Sequence, residues 1–362
     1  MTSTRPAWDP STFRARVKAA LDAFLDEQGE RLAPLGADAA RLLAEARASV
    51  SGGKRFRAAF CYWGFHAVSG SPYDADGPDD ALVRACAALE LLHASALVHD
   101  DYMDASDTRR GRPATHRGFE AEHRADRWRG DPEQYGASAA ILLGDLLLSW
   151  SDELLRRCGL PLDRVVPALD VFDRCRSEVI TGQFLDVSVQ ARGVADVDAA
   201  MTVLRYKSAK YSIERPLHIG ATLAGADEAQ LGRLSAFGLP LGEAFQLRDD
   251  LLGVFGDPAA TGKPAGDDLI EGKRTVLVAL ALDAAPAEAA ARLDAALGRS
   301  LDVGQVAELR RIIDESGAHA QVEDVNGQLA DRATTALRDG DLDKRARGVL
   351  LELATAVTDR HH

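Results

Sequence analysis

The segment Asp100-Asp101-Tyr102-Met103-Asp104 closes an otherwise apolar stretch and is followed by Arg109-Arg110-Gly111. On a helix, residues four apart project from one face, one above the other, so Asp100 and Asp104 make a carboxylate pair. Carboxylates packed this closely repel unless a cation neutralises them. The arginines just beyond seek an anion. One ligand that answers both needs is a Mg2+-bound diphosphate. A second acidic pair, Asp249-Asp250, ends another long apolar segment carrying Leu239, Leu241, Ala244, Phe245 and Leu247, and Lys263 and Lys273 follow it. Two segments built to one plan, 149 residues apart, suggest two acidic walls facing one cavity.

Mg2+ takes one or two protein carboxylates and completes its shell with water and phosphate oxygens. Asp100, Asp104 and Asp249 are the candidate metal ligands, and Arg109, Lys207 and Lys263 would complete the cage. Such a clamp neutralises a diphosphate leaving group and favours breaking its C–O bond. The carbocation left behind reacts with water, so the site must be dry. Ala96, Leu92 and Leu89, at offsets of four, eight and eleven from Asp100, run down its helix face and suit that need, although ordinary core residues would look the same. A second anion site is suggested by Gly52-Gly53-Lys54-Arg55-Phe56-Arg57, which places Lys54 and Arg57 on the first turn of a helix. His93 lies two turns before Asp100 on nearly the same face, where it can serve the core or donate to a phosphate.

The elements that must position these residues read as helices throughout. The chain has 362 residues, 46% hydrophobic and only 6% aromatic, with 14 prolines, a profile that favours helix over strand. Apolar periodicity predicts helices over 11–29, 37–49, 54–69, 80–104, 136–158, 162–191, 196–224, 227–256, 267–283, 285–299, 303–315, 318–338 and 343–358. Pro167, Pro216 and Pro240 are expected to kink or delimit some of them. Residues 71–80 and 106–135 read as loops, the second with room for one short helix. No linker or composition break divides the chain, so the expected architecture is all-α, a single-domain bundle of about 10–13 helices around a deep central cavity. A net charge of −13 argues against a nucleic-acid partner, and against that background the seven arginines between 109 and 129 stand out. The four cysteines are scattered without a C-x-x-C pair, so no zinc site and a cytoplasmic setting are expected. No signal peptide and no membrane span are read.

With these pieces in order, the chain resembles the trans-isoprenyl diphosphate synthases, the polyprenyl synthetase family that includes farnesyl and geranylgeranyl diphosphate synthases. The resemblance rests on Gly52-Gly53-Lys54-Arg55-Phe56-Arg57, Leu91-Leu92-His93, His99 to Asp104 with Thr108 to Gly111, Gly182 to Asp186, Lys207 to Tyr211, Phe245 to Asp250, Gly262-Lys263 and Lys273. It implies the isoprenoid synthase fold, a homodimer, and three Mg2+ ions per active site. An allylic diphosphate (dimethylallyl, geranyl or farnesyl) would be held through Asp100, Asp104 and Asp249 with Arg109, Lys207, Ser208, Gln246, Lys263 and Lys273. Isopentenyl diphosphate, held by Lys54, Arg57, His93 and Arg110, would attack the allylic cation and extend it by five carbons. Asp101, Gln183, Asp186, Tyr211 and Asp250 would line the site.

Two departures accompany the match. Gly253 stands where the family often carries a final aspartate, and Asp257 is too far along to replace it. Ser208 stands where threonine is common and keeps the hydroxyl. In this family the residues four and five before the first aspartate set the depth of the product pocket. Here they are the small Ala96 and Ser95, so the first candidate floor, one helical turn of about 5.4 Å further down, is Leu92, then Leu89. That depth favours a C20 product, geranylgeranyl diphosphate, over farnesyl (C15), with longer chains as the alternative. A terpene cyclase would lack the isopentenyl site, and a non-catalytic partner subunit would be expected to have lost an aspartate pair.

Overall fold

The computed structural model describes residues 8–69, 80–193, 195–256, 266–339 and 342–358. Its contacts group the chain into two compact units, Met1–Tyr62 with Ser71–Leu169, and Trp63–Gly70 with Asp170–His362. The described residues are overwhelmingly helical. The predicted loop at 71–80 falls almost wholly outside them.

The first unit is built from α1 (Pro10–Leu32), α2 (Ala37–Ser49), the start of α3 (Phe56–Ser69), α4 (Asp80–Met103), α5 (Thr115–Ala125), α6 (Pro132–Arg156) and the start of α7 (Leu162–Arg192). Local chemistry sets the boundaries. Asp9 accepts from the amides of Ser11 and Thr12 and Pro10 opens α1, while Asp131 and Pro132 repeat that plan at α6. The long α4 is apolar enough to pass for a membrane span by length and composition. Of its most apolar window 72% is buried inside the protein, as expected of a core helix. It packs on α1 and α6, and closeness to α6 depends on Gly144, where any side chain would overlap the His99 ring. His99 in turn lies 3.2 Å from the Ile141 carbonyl, so the end of α4 that bears the aspartates is tied to α6.

Residues 106–135 are more ordered than the sequence suggests. A two-stranded antiparallel hairpin, β1 (Thr108–Arg109) with β2 (Arg112–Pro113), turns through Arg110 and Gly111, both with positive φ (52° and 73°). That combination is the tight hairpin turn whose twist matches its strands. Then comes α5, held by Arg117 to Asp107 (2.8 Å), Arg41 to Glu122 (2.7 Å) and a cluster of Phe119, His123, Trp128 and Tyr135 rings.

The second unit continues α7 and adds α8 (Val197–Val203), a π-helical stretch (Leu204–Glu214), α9 (Arg215–Ala224), α10 (Glu228–Phe255), α11 (Asp267–Glu271), α12 (Val276–Ala284), α13 (Ala287–Ala296), α14 (Val303–Glu315), α15 (Ala318–Asp339) and α16 (Lys344–Thr358). The helix expected over 196–224 is thus three segments, and the one over 267–283 is broken by Gly272 at φ 76°. Pro216 lies in the first turn of α9, whereas Pro167 and Pro240 sit inside α7 and α10. The core joins Leu204 and Ala209 of the π stretch to Leu247, Leu251 and Val254 of α10 and to Leu277 and Ile313.

Candidate active site

The first unit carries the expected isopentenyl-site residues, and brings Arg57 and Arg110 near His93 of α4. Lys54 is exposed and lies just ahead of α3, not on its first turn, with its ammonium 5.9 Å from the Phe56 ring. Arg57 is on that first turn. Arg110 donates from Nη1 to the Ser51 carbonyl (2.6 Å) and lies against Gly53, where a Cβ would come within 3.3 Å of its guanidinium. His93 is held well below its ordinary pKa by burial, then by Arg57, Arg110, Arg109 and Arg55. It is therefore a neutral ring at neutral pH, able to give one N–H and to add no charge. Burial and the neighbouring Arg55 also push the Arg110 pKa down, against which Glu90 acts.

Within the acidic segment the aspartates divide. Asp101 is buried, 3% exposed, and accepts from Arg109 Nε at 2.7 Å and from Nη2. Asp100 and Asp104, one turn apart, are less buried. The geometry thus makes Asp101 the counter-ion that orients Arg109 and leaves the flanking pair with hard oxygen donors. Below them Ser95 is 3% exposed, Leu92 and Leu89 each 2%, and Ala96 is half-buried.

The second unit carries the rest. The π stretch bears Lys207, Ser208 and Tyr211, and its wide turns are accommodated by glycines on both sides. A side chain at Gly182 would overlap the Lys207 backbone, and one at Gly242 would meet the Ala209 backbone at 2.5 Å. Lys207 donates to Asp186 (2.6 Å), itself 7% exposed, while Gln183 lies one turn earlier on α7. Tyr211 is buried. On α10 the acidic pair is split as on α4: Asp249 is exposed and Asp250 is 6% exposed, accepting from Gln246 Nε2 at 2.8 Å. Burial, then the adjacent Asp268 carboxylate, raises Asp250 well above the usual carboxylate range. Lys273 pairs with Glu271 and lies 3.6 Å from Asp268. Lys263 lies outside the described residues.

Asp268 answers the oddity at Gly253. A side chain built on Gly253 would run into the Asp268 carboxylate, so the space that a final aspartate of the α10 motif would fill holds a carboxylate from α11. Sequence reading missed it because the two positions are 15 apart and share no helix. It also missed Arg55 and Glu90. Arg55, 7% exposed and at φ 59°, donates to Glu90 Oε2 (2.8 Å) and to the Val50 carbonyl. The available signal was Glu90 itself, a lone acid inside an apolar helix, which burial obliges to find a cation.

Among the described residues no three or more His, Cys, Asp or Glu side chains converge as a self-sufficient metal cage. The paired, partly exposed carboxylates fit Mg2+, which recruits few protein ligands and leaves room for phosphate.

The polyprenyl synthetase family model matches residues 40–314. A short chain isoprenyl diphosphate synthase of Methanothermobacter thermautotrophicus is 33% identical over 316 residues, 86% of this chain and 88% of that one. A geranylfarnesyl diphosphate synthase of Natronomonas pharaonis is 32% identical over 242 residues, 64% of this chain and 66% of its own. Among solved structures, a geranylgeranyl pyrophosphate synthase of Corynebacterium glutamicum, complexed with isoprenyl diphosphate and magnesium, is 41% identical at a TM-score of 0.93, covering 98% of this chain and 100% of that one. The architecture is therefore the all-α isoprenoid synthase fold. The chain belongs to the polyprenyl synthetase family.

Proposed function

We propose that this chain is a Mg2+-dependent trans-prenyltransferase that joins isopentenyl diphosphate to an allylic diphosphate, releases pyrophosphate, and makes chiefly geranylgeranyl diphosphate. The observation that carries this reading is the end of α4, where the Asp100 and Asp104 pair lies beside arginines grouped around a neutral histidine. A cation-binding set next to an anion-binding set suits a metal diphosphate and a second diphosphate better than either ligand alone.

In this reading Asp100, Asp104 and Asp249 hold Mg2+, which when bound supplies the positive charge that stabilises the leaving diphosphate. Arg109, oriented by Asp101, and Lys207, oriented by Asp186, bind the allylic diphosphate together with Ser208, Gln246, Lys263 and Lys273. Lys54, Arg57, Arg110 and the His93 N–H hold isopentenyl diphosphate. The allylic C–O bond breaks with its electron pair leaving on the diphosphate. The double bond of isopentenyl diphosphate then attacks the allylic cation, and the proton lost from the new cation passes to pyrophosphate. Ser95 and Ala96 leave the channel open below the aspartates, and Leu92 and Leu89 form its floor. The depth of that floor is what supports C20; related proteins are named for farnesyl, geranylgeranyl and geranylfarnesyl products alike. We place the enzyme in the cytoplasm, where its buried thiols stay reduced, and expect a homodimer.

The test is to incubate the protein with Mg2+, isopentenyl diphosphate and, separately, C5, C10 and C15 allylic diphosphates, then size the dephosphorylated products. A C20 alcohol from all three primers is expected. A C15 stop or products beyond C20 would overturn the floor assignment, and no elongation from any primer would sink the synthase reading.

A further inference from the structure

Between the isopentenyl-site cations lies a buried ion pair that the reaction itself does not use. Arg55 Nη1 donates to Glu90 Oε2 at 2.8 Å, with side chains only 6% and 5% exposed. The other arm of Arg55 reaches the Val50 carbonyl, at the start of the loop that ends in Lys54. The second Glu90 oxygen accepts from the Ala58 amide (3.3 Å) in the first turn of α3, next to Arg57. Glu90 therefore grips both ends of the segment that carries Lys54 and Arg57. It does so from α4, one turn before His93. The segment's middle is gripped by Arg110, through the Ser51 carbonyl and the bare face of Gly53. Arg55 is held in the left-handed region, φ 59°, which a non-glycine residue keeps only when its surroundings over-determine it.

We propose that Arg55 and Glu90 are positioning residues for the isopentenyl diphosphate site. They fix Lys54 and Arg57 against His93, and the Glu90 charge lets arginines collect there before any diphosphate arrives. The inference rests on the proposed synthase activity, and binding of pyrophosphate tests it separately from that activity. A preorganised anion site avoids reorganisation on binding, and a shift of about 1 Å in such a group costs on the order of 100-fold.

The test compares wild type with Glu90→Gln, which keeps the shape and removes the charge, and with the double variant Arg55→Gln with Glu90→Gln, which replaces the ion pair by a neutral one. Glu90→Gln should raise the KM for isopentenyl diphosphate by roughly 10- to 100-fold, leaving the KM for the allylic diphosphate and kcat within about threefold. The double variant should recover part of the loss, because no buried charge is left unpaired. Affinity for pyrophosphate without Mg2+, read by calorimetry, should fall in parallel in Glu90→Gln. Equal losses for both substrates, or a lower Tm with an unchanged isopentenyl diphosphate KM and pyrophosphate affinity, would overturn the proposal. If wild type elongates no primer, the synthase reading fails, and the pyrophosphate measurement still decides the pair. Should Glu90→Gln not fold, Arg55→Lys, which keeps the charge and loses the two-armed grip, must show the same selective KM rise.

Discussion

Each acidic pair splits into one residue that faces outward and one that holds a neighbour in place. Asp101 takes Arg109 and Asp250 takes Gln246, while Asp100, Asp104 and Asp249 keep more exposed oxygens. Adjacent letters on a helix point about 100° apart, so such a split follows from the period. Gly253 belongs to the same economy of space. Restoring the family's aspartate by Gly253→Asp should not improve the enzyme, since the new side chain would collide with the Asp268 carboxylate and add a charge beside Asp250. We expect a loss of about 2–4 kcal/mol in stability, from overpacking and like-charge repulsion, and weaker turnover. Thermal unfolding and steady-state rates read the result. An unchanged Tm would mean that Asp268 does not hold that space.

At the scale of elements, the π stretch is the least ordinary part of the chain, and a buried network closes it. Glu214 accepts from Lys210 (2.8 Å) and Ser235 (2.8 Å), and Arg215 grips Glu178 with two bonds of 2.7 Å. His218 Nδ1 faces Arg215 Nη1 at 3.1 Å, and since a guanidinium only donates, that nitrogen must accept. Burial in this setting lowers His218 from 6.5 to about 4. Above pH 6.5 the ring is neutral whether folded or unfolded and adds nothing to the pH dependence. As pH falls below that value only the unfolded ring gains a proton, so stability declines, by about 2 kcal/mol at pH 5 and levelling off near 3 at pH 4. His218→Gln, whatever its cost at pH 7, should therefore lose less Tm between pH 7 and pH 5 than wild type; parallel losses would refute the assignment. Nothing in the sequence announces this segment, because an i to i+5 turn uses the same residue types as an i to i+4 turn. The long amphipathic helices were legible because burial repeats along them. The hairpin was not, and α5 was foreseen only as room for one short helix, because partners far away in sequence help to hold them, Ser51 for Arg110 and Arg41 for Glu122. Arg55 escaped for a related reason: its letter matches Lys54 and Arg57, and only the fold reveals that it turns inward to Glu90.

At the scale of the whole molecule, the surface still carries apolar side chains that folding of one chain does not cover. Ile180, Phe184 and Val187 follow one another at offsets of four and three along α7, a single helical stripe, with exposures of 55%, 68% and 39%. A side chain as large as Phe184 left two-thirds exposed forfeits roughly 1–2 kcal/mol of burial that a second copy could restore. The chain's net charge of −13 opposes association at long range, so contact would have to come from apolar burial, which salt does not screen. We propose that this stripe meets its counterpart in a homodimer related by a two-fold axis, the commonest closed arrangement. Sedimentation should then give twice the 38.8 kDa of the chain. Phe184→Asp should return the single mass with its helical signal intact, because an exposed residue carries little of the fold's own stability. A wild-type mass of 38.8 kDa, or a dimer untouched by Phe184→Asp, would refute this interface.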